Sequence, residues 1–400
     1  METIEKIALK LEEKQKIEEA TDPEIKKIMR IVKKFIQTNR VLCYGGTAIN
    51  NILPKKEQFY DFDKEIPDYD FYSETPQEHA KELSDILSKS NIENVETKPG
   101  IHLGTFKVFA KFTGVADISH LDKPIFSKLW KESITKDDIH YVPPNFLRMS
   151  MYLELSRPRG DVTRWTKVYK RLQKLNNEYP INCESKDIDY KEQNIDNIKH
   201  FENILKNDVI ILGYNAVNLQ LKTNEWVFPF DLLAEPENAL NITDKISRLF
   251  KDSTVHSYTE YAELLPPHYD ILSNKTLIAR VFETDACHSY HQLENGTKVA
   301  SIPTLLNFLF ATMYADKHFT EGTTQQRLIC TCQTLIDLAN NSRKRRFKLL
   351  TPILCIGKQK NLIDMKKEKS ELYEKLSKHR TSKDFYKFFF SYVPKKVKHK

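Results

Sequence analysis

The residues with the clearest chemical meaning are two glycines and two aspartates near the start of the chain. Gly45 and Gly46 follow a short apolar run and precede a segment, 47–53, that is compatible with a helix. A strand, a glycine turn and a helix start together expose backbone N–H groups that can hold a phosphate. Asp68 and Asp70 follow, and on a strand their side chains point to one face. Two carboxylates beside a phosphate cradle suit a pair of Mg²⁺ ions, so this order of motifs predicts nucleotidyl transfer.

A third carboxylate completes the expected metal site. Asp117 lies between Ala116 and Ile118 in a segment with the pattern of a strand. Glu96 and the pair Asp137-Asp138 are competitors, but neither has this apolar strand setting. We therefore expect Asp117 to be the third metal ligand. The alternative is that it caps the turn into the next segment.

The composition predicts an intracellular protein of two or three domains. The chain has 400 residues, of which 40% are hydrophobic, and this is enough for sizeable cores. Its longest apolar stretch, 307–315, is too short to span a bilayer, and no early signal segment is recognisable. The six cysteines contain no Cys-x₂-Cys pair. We therefore expect reduced cysteines, no zinc site and no membrane partner.

The net charge of +7 is concentrated at the carboxyl end. Residues 341–400 carry 19 Lys or Arg and five Asp or Glu, with basic runs at 343–346 and 395–400. This asymmetry favours a polyanionic partner, nucleic acid before membrane. The alternative is a solvated lysine-rich tail that aids solubility.

The spacing of apolar residues and the turn signals predict the helices and strands around the first motifs. Residues 1–38 have the apolar spacing of two helices. Residues 75–78 (Thr-Pro-Gln-Glu) match a capping box at the start of another helix. Two strands, 106–112 and 115–119, are expected around a turn at Thr113-Gly114.

A helix over 162–175 has one apolar arc and one basic arc. Lys167 and Lys170 lie in the basic arc. Such an arc could face a triphosphate or an RNA backbone, or it could be a solvated surface. The polar segment 176–200 that follows is interpreted as a connector.

The motifs recur in the second half of the chain in weaker form. Residues 209–218 align without a gap with 41–50, and Pro229-Phe230-Asp231 aligns with Asp68-Tyr69-Asp70. Further on, Asp285 aligns with Asp117.

The second copy lacks one glycine, and Pro229 replaces the first aspartate. We therefore expect an inactive copy with strands near 209–212, 226–232 and 276–283. We also expect Asp231 to lie close to Asp285.

Several of these segments resemble one known superfamily. They are Gly45-Gly46-Thr47-Ala48, Asp68-Tyr69-Asp70, Asp117, Tyr152–Pro158 and Arg164–Leu172. The chain resembles the nucleotidyltransferases with a polymerase-β-like fold, and most of all the poly(A) polymerase catalytic subunits of large cytoplasmic DNA viruses. The resemblance covers 40–175, and 205–315 more loosely. It implies an α+β fold in which a catalytic nucleotidyltransferase domain with a mixed sheet precedes a degenerate nucleotidyltransferase-like domain.

The resemblance also implies an activity. AMP would pass from ATP to the 3′ end of single-stranded RNA without a template, with two Mg²⁺ or Mn²⁺ ions. Asp68, Asp70 and Asp117 would be the catalytic metal ligands. The nucleotide-binding residues would be Gly45, Gly46, Thr47, Lys167 and Lys170. The expected partner is a second copy or a processivity subunit, and the expected location is the host cytoplasm, a viral factory or the virion.

Two other functions stay open at this point. The same site could make short or cyclic oligonucleotides, or the chain could be a non-catalytic RNA-binding subunit. Clustered carboxylates argue against the latter because they repel RNA phosphates. The long gap from Gly46 to Asp68 departs from the usual spacing, so we expect an inserted loop at 54–66.

The expected domain organisation has four segments. Residues 1–38 form N-terminal helices, 39–180 the catalytic domain, 200–340 the degenerate domain, and 341–400 a basic C-terminal region.

Overall fold

The structure is a computed structural model that describes residues 2–184, 198–206, 209–223, 225–262, 264–320, 324–350 and 354–395. Contacts within it divide the chain into two units. The first unit comprises residues 1–147 together with 362–400, and the second comprises residues 148–361.

Helices and strands alternate in both units. The helices are α1 Glu2–Thr21, α2 Pro23–Thr38, α3 Gly45–Ile52, α4 Pro76–Lys89, α5 Lys123–Glu132, α6 Pro144–Leu155, α7 Trp165–Glu178, α8 Ile198–Leu205, α9 Gly213–Leu221, α10 Pro236–Ser247, α11 Ile302–Tyr314, α12 Gln325–Asn341, α13 Leu362–Leu376 and α14 Lys383–Phe389. The strands are β1 Leu42–Tyr44, β2 Asp70–Ser73, β3 Glu96–Pro99, β4 Thr105–Ala110, β5 Thr113–His120, β6 Ile134–Lys136, β7 Ile139–Tyr141, β8 Val209–Ile211, β9 Phe230–Ala234, β10 Ser253–Tyr258, β11 His268–Ser273, β12 Thr276–Glu283, β13 His288–Gln292, β14 Lys298–Ala300 and β15 Cys355–Ile356. None of the described helices is both long enough and apolar enough to cross a bilayer.

The first unit is built on a seven-stranded mixed sheet in the order β3-β4-β5-β2-β1-β7-β6. The pairs β5–β2 and β1–β7 are parallel, and the other pairs are antiparallel. Helix α2 begins where Asp22 accepts hydrogen bonds from the backbone N–H groups of residues 24 and 25 and Pro23 fixes the first turn. Its apolar side, including Ile28 and Phe35, is buried. The predicted mixed α+β class is confirmed.

The second unit repeats this sheet. Its strands follow the order β10-β11-β12-β9-β8-β14-β13, with β15 added at the end. Numbered from the first strand of each unit, the order of the seven shared strands is the same in both sheets. The parallel pairs also match, since β12–β9 and β8–β14 are parallel. The predicted repeat is therefore present in the topology.

Three local sequence predictions need correction. The turn between β4 and β5 is at Lys111 and Phe112, which have positive φ of 50° and 66°, and not at Thr113-Gly114, which is strand. Thr75 precedes α4, but its side chain makes no cap hydrogen bond, so the capping box does not form. In the second unit the predicted strand at 226–232 starts only at Phe230.

The cysteine prediction is also wrong for four of the six residues. Disulfides join Cys183 to Cys330 and Cys287 to Cys355, whereas Cys43 and Cys332 are free and buried. The bonded cysteines are 147 and 68 residues apart, so only the folded chain brings them together.

Residues 362–395 of the C-terminal region belong to the first unit, whereas its residues up to 361 belong to the second. Tyr392 forms a two-way backbone bridge with Thr97 on β3, with N···O distances of 2.7 and 3.0 Å. The Tyr392 hydroxyl donates to Asp85 at 2.6 Å, and the ring of Phe390 packs against that of the buried Phe106. This segment therefore covers the edge strand β3. The basic residues 396–400 lie outside the described residues.

Candidate active site

Gly45 forms the turn between β1 and α3. Its φ is +74°, a conformation that side chains with a Cβ rarely adopt. A Cβ placed there would lie 2.6 Å from Oδ2 of Asp70, closer than any real contact of this kind. Glycine is thus required both by the backbone conformation and by the approach of the Asp70 carboxylate. Gly46 follows in the first turn of α3.

The strand register brings two of the predicted carboxylates together. Asp70 on β2 pairs with Asp117 on the parallel strand β5, and it also pairs with Tyr44 on the antiparallel strand β1. Paired residues on adjacent strands point to the same face, and adjacent strands lie about 4.8 Å apart. The backbone N–H of Asp117 donates to the carbonyl of Tyr69 at 3.0 Å, which fixes this register. Asp70 and Asp117 are therefore neighbours beside the Gly45 turn.

Asp68 lies two residues before Asp70, just ahead of β2. From residue 68 to 73 exposed or half-buried positions alternate with buried ones, so Asp68 and Asp70 share the side opposite Tyr69 and Phe71. The Thr47 hydroxyl donates to the backbone carbonyl of Asp68 at 2.6 Å. Thr47 is itself buried, so in this structure it holds the Asp68 backbone in place. Its contact with a nucleotide stays a prediction.

Lys107 was not among the predicted site residues. It lies on β4 directly opposite Asp117, and its Nζ donates to Asp117 Oδ2. Paired positions on four adjacent strands thus form a row of side chains: Lys107, Asp117, Asp70 and Tyr44. At the Tyr44 end of this row, the Tyr44 hydroxyl and Ser119 Oγ are 2.9 Å apart.

Two tyrosines at or next to this row have pKa values above the ordinary value. Burial raises the pKa of Tyr44 well above its ordinary value, and the nearby Tyr72 ring and the Asp70 carboxylate raise it further. On the opposite face of the sheet, burial raises the pKa of Tyr69 to about 12. Both phenols therefore stay neutral at physiological pH and act as hydrogen-bonding groups and packing surfaces.

The residues present fit a divalent metal ion. Oxygen ligands from clustered carboxylates are what Mg²⁺ and Mn²⁺ prefer. Asp70 and Asp117 are adjacent, Asp68 lies on the same side, and Asp68 is exposed to solvent.

Asp68, Asp70 and Asp117 do not bring three carboxylate oxygens within 4.8 Å of one another in this structure, whereas a cluster in the second unit does bring its ligand atoms this close. Within the part of the chain that the structure describes, the one group of three His, Cys, Asp or Glu ligand atoms within 4.8 Å of one another is His268, Asp270 and His318 in the second unit. Both oxygens of Asp270 already accept hydrogen bonds from Arg280, at 2.7 and 2.9 Å. A guanidinium at this distance opposes a second cation, so we assign no metal to this group.

Lys167 and Lys170 lie on α7 in the second unit. Both are exposed, whereas Val168, Leu172 and Leu175 on the other side of the helix are buried. The amphipathic helix is thus present as predicted. The contact of the two lysines with a nucleotide stays a prediction.

The second sheet reproduces the site's backbone with different side chains. Gly213 opens α9 with φ +58°, and a Cβ there would lie 2.2 Å from Oδ2 of Asp231. Asp231 pairs with Arg280 on the parallel strand β12. Asp231 thus corresponds to Asp70, and Arg280 takes the place of Asp117.

The predicted equivalence of Asp285 to Asp117 is therefore wrong. Asp285 lies five residues after Arg280, beyond the end of β12, and is exposed. Asp231 and Arg280 line a cavity of about 340 Å³, whereas Asp285 lines another. The sequence alignment matched Asp117 to Asp285 because both are aspartates, whereas the residue at the position of Asp117 in the second unit is Arg280.

Comparison with known proteins finds a family that matches the segment of the candidate site. Residues 30–161 match the family model for the catalytic subunit of poly(A) polymerase. The resemblance inferred from the sequence is confirmed. The matched segment contains the Gly45 turn, Asp68, Asp70 and Asp117.

Two viral relatives support the same family. A protein of Acanthamoeba polyphaga mimivirus, named as a predicted poly(A) polymerase catalytic subunit, is 29% identical over 217 residues, which are 51% of this chain and 37% of the relative. A protein of African swine fever virus with the same name is 31% identical over 169 residues, which are 41% of this chain and 35% of the relative. The chain thus matches little more than a third of the length of either relative.

The fold also matches a solved structure. The crystal structure of the Megavirus polyadenylate synthase superposes with a TM-score of 0.80 and covers 98% of this chain and 85% of that one, at 20% identity. At this identity the match establishes the fold, including both sheets.

Proposed function

We propose that the protein adds AMP from ATP to the 3′ end of RNA without a template. The observation that carries this proposal is the register of Asp70 and Asp117 beside the Gly45 turn. The names of the viral relatives and of the polyadenylate synthase support the choice of RNA and AMP. Transcript maturation in an infected cell would be the biological setting, and the cytoplasmic location stays a prediction.

The chain's own residues would position the two substrates. The backbone of Gly45 and Gly46 can approach the β- and γ-phosphates of ATP because no side chain intervenes. Asp68, Asp70 and Asp117 would hold two Mg²⁺ or Mn²⁺ ions, which neutralise phosphate charge and lower the pKa of the RNA 3′-hydroxyl. Thr47 would keep Asp68 in place through the backbone carbonyl bond described above.

The reaction balances as a single displacement. The 3′-oxygen of RNA bonds to the α-phosphorus of ATP, and the bond from that phosphorus to the β-phosphate oxygen breaks. Pyrophosphate leaves, and an Asp117 carboxylate oxygen can accept the proton of the hydroxyl. Most of the rate enhancement would come from positioning and charge stabilisation.

One assay tests the proposal. A labelled oligoribonucleotide is incubated with the protein, Mg²⁺ or Mn²⁺, and each nucleoside triphosphate in turn. The proposal predicts a ladder of extended RNA with ATP. Short or cyclic products formed without the labelled RNA would favour an oligonucleotide synthase, and RNA binding without any product would favour a non-catalytic subunit.

A further inference from the structure

One carboxylate of the candidate active site, that of Asp117, forms an ion pair with a lysine on the adjacent strand. Lys107 Nζ donates to Asp117 Oδ2, and the two side chains are 40% and 21% exposed. The pair is thus open to solvent. A cation that binds Asp117 must compete with the ammonium group of Lys107.

The second unit has a pair at the same position of its sheet, with the charges exchanged. Asp270 on β11 faces Arg280 on β12 as Lys107 on β4 faces Asp117 on β5. The guanidinium of Arg280 makes two hydrogen bonds to Asp270, and both side chains are at most 7% exposed. Removing either partner there would leave a buried charge alone.

The two pairs differ in how easily they open. A bidentate buried pair is held by geometry and by the cost of separating its charges, whereas a half-exposed lysine can move its charge into water on a flexible stem. The first unit, which contains the candidate active site, has the pair that can open. The second unit, in which Arg280 and not a carboxylate lies beside Asp231, has the pair that cannot.

Released from Asp117, Lys107 would remain in a basic neighbourhood. His102 lies close enough to Lys107, Asp117 and Lys369 for all three charges to act on it, and burial and the two lysines lower the pKa of its imidazole. Lys369 on α13 lies at the loop between β3 and β4, where its Nζ donates to the carbonyls of Pro99 and Gly100. Two lysines near His102 favour a phosphate there.

The position of Lys107 within the sheet indicates whether this phosphate belongs to ATP or to the RNA acceptor. Gly45, the expected contact of the ATP phosphates, follows β1, and Asp70 and Asp117 lie on the next two strands. Lys107 is on β4, beyond Asp117, roughly 14 Å from β1 at the usual strand spacing. The acceptor strand must approach from the Asp117 side if ATP lies on the Gly45 side.

We propose that Lys107 is a transferable counter-ion, which pairs with Asp117 in the metal-free protein and binds a backbone phosphate of the acceptor RNA once a divalent ion occupies Asp117. The proposal rests on the proposed function for its choice of RNA as the bound strand. It predicts that metal and RNA strengthen each other's binding, because each removes a competitor of the other.

The test uses the 400-residue chain and the variants Lys107→Gln, Lys107→Arg and Lys111→Gln. Lys111 is a matched control, since it lies at the other end of the same hairpin and is ion-paired with Glu24. Mn²⁺ affinity is measured by electron paramagnetic resonance without substrates. Oligo(A) affinity is measured by fluorescence anisotropy with and without Mn²⁺, and the KM for ATP is measured separately.

We expect the parent to bind oligo(A) more tightly with Mn²⁺ than without it. Lys107→Gln should bind Mn²⁺ more tightly than the parent but lose most of the gain in RNA affinity, with an unchanged KM for ATP. Lys107→Arg should keep the coupling in part, and Lys111→Gln should match the parent.

Three outcomes would overturn the proposal. Unchanged Mn²⁺ affinity in Lys107→Gln would show that the pair does not compete with metal. Unchanged coupling would show that Lys107 does not bind RNA. A raised KM for ATP with normal RNA binding would assign the phosphate to ATP instead. A parent protein that binds Mn²⁺ and RNA cooperatively but never extends RNA would refute the proposed function and leave this inference standing.

Discussion

The carboxylates of the candidate active site depend on one another for their position. Asp70 is placed by its strand register with Tyr44 and Asp117, and its carboxylate lies against the Gly45 backbone. Asp68 is held through Thr47. Loss of any one residue should therefore affect the set as a whole.

Replacement of the central carboxylate should abolish RNA extension. In Asp70→Ala we expect the rate to fall by at least about a thousandfold, which corresponds to about 4 kcal/mol of transition-state stabilisation. Asp138→Asn, in the exposed turn between β6 and β7, is the control and should retain the parental rate. Extension by Asp70→Ala close to the parental rate in Mg²⁺ would exclude the assignment.

The close approach of Gly45 to Asp70 can be tested separately from the strain of the left-handed backbone conformation. Gly45→Ala should cost about 1–2 kcal/mol of stability for its left-handed conformation and should also displace Asp70, so RNA extension should be lost in folded protein. Gly296→Ala is the control, because its φ is +88° but its Cβ would meet nothing within 4 Å. The measurements are thermal unfolding and single-turnover extension. Equal activity in the two variants would show that the approach to Asp70 is unimportant.

The sequence was sufficient to select Gly45, Asp68, Asp70 and Asp117 as candidates, because each lies in a recognisable local pattern. Lys107 could not be found in this way. A hairpin that turns at Lys111 and Phe112 would oppose Lys107 to residue 116, but a bulge after Val108 shifts the partner to Asp117. A one-residue shift of this kind leaves no trace in the alternation of apolar residues.

At the scale of elements, the repeated sheet shows which parts of the site are structural. The glycine turn and the following aspartate are kept in both units, whereas the third carboxylate is replaced by Arg280. We infer that the second unit keeps the fold of the site without its metal chemistry.

Since the second unit is inferred to lack the metal chemistry, the buried carboxylate of Asp231 should destabilise the protein at neutral pH. Burial raises the pKa of Asp231 from 3.8 to about 6, against the opposing charge of Arg280. The folded protein therefore binds this proton more tightly than the unfolded chain, and the resulting stabilisation is complete below about pH 4 and lost as the pH rises through 6. Asp231→Asn should raise the free energy of unfolding at pH 8 by about 1–3 kcal/mol and leave it unchanged near pH 4.

Urea denaturation at both pH values and an RNA extension assay check this prediction. The variant should extend RNA nearly as well as the parent. A folded Asp231→Asn protein that loses extension as fully as Asp70→Ala would contradict the inactive role of the second unit.

Predictions of elements succeeded where the pattern was local. The first two helices, the strand before Gly45 and the amphipathic α7 follow from spacing and capping residues. The β4–β5 turn was misplaced because Lys111 and Phe112 adopt positive φ without glycine. The disulfides and the covering of β3 by the C-terminal segment depend on residues far apart in the chain, which periodicity does not reveal.

At the scale of the whole molecule, the C-terminal region after residue 361 has two separable parts. Residues 362–395 pack on the first unit, and the basic residues 396–400 follow them. The four-segment division expected from the sequence stays a prediction about folding domains.

A chain that ends at Lys395 tests the charge of the last residues. It should unfold like the parent but bind RNA less tightly. The slope of log affinity against log salt should decrease by about 0.7 for each RNA phosphate that the shortened chain no longer neutralises. Fluorescence anisotropy over a salt series measures both the affinity and the slope. An unchanged slope would mean that these lysines are only solvated.

A chain that ends at Asn361 tests the packing of the segment instead. Without the bridge from Tyr392 to Thr97 and the packing of Phe390 on Phe106, the first unit should unfold at lower temperature and urea concentration. Unfolding identical to the parent's would show that the segment does not stabilise the sheet.

The bridge between Thr97 and Tyr392 also fixes the order of events during synthesis. These residues are 295 positions apart, so at ordinary translation rates the ribosome makes the second after the first by roughly 15 to 60 s. During this interval the edge strand β3 has been made but its cover has not, while the whole second unit emerges. The first unit can therefore close its edge only after the second unit has been made, and a chain terminated before Tyr392 would present that edge to other nascent strands.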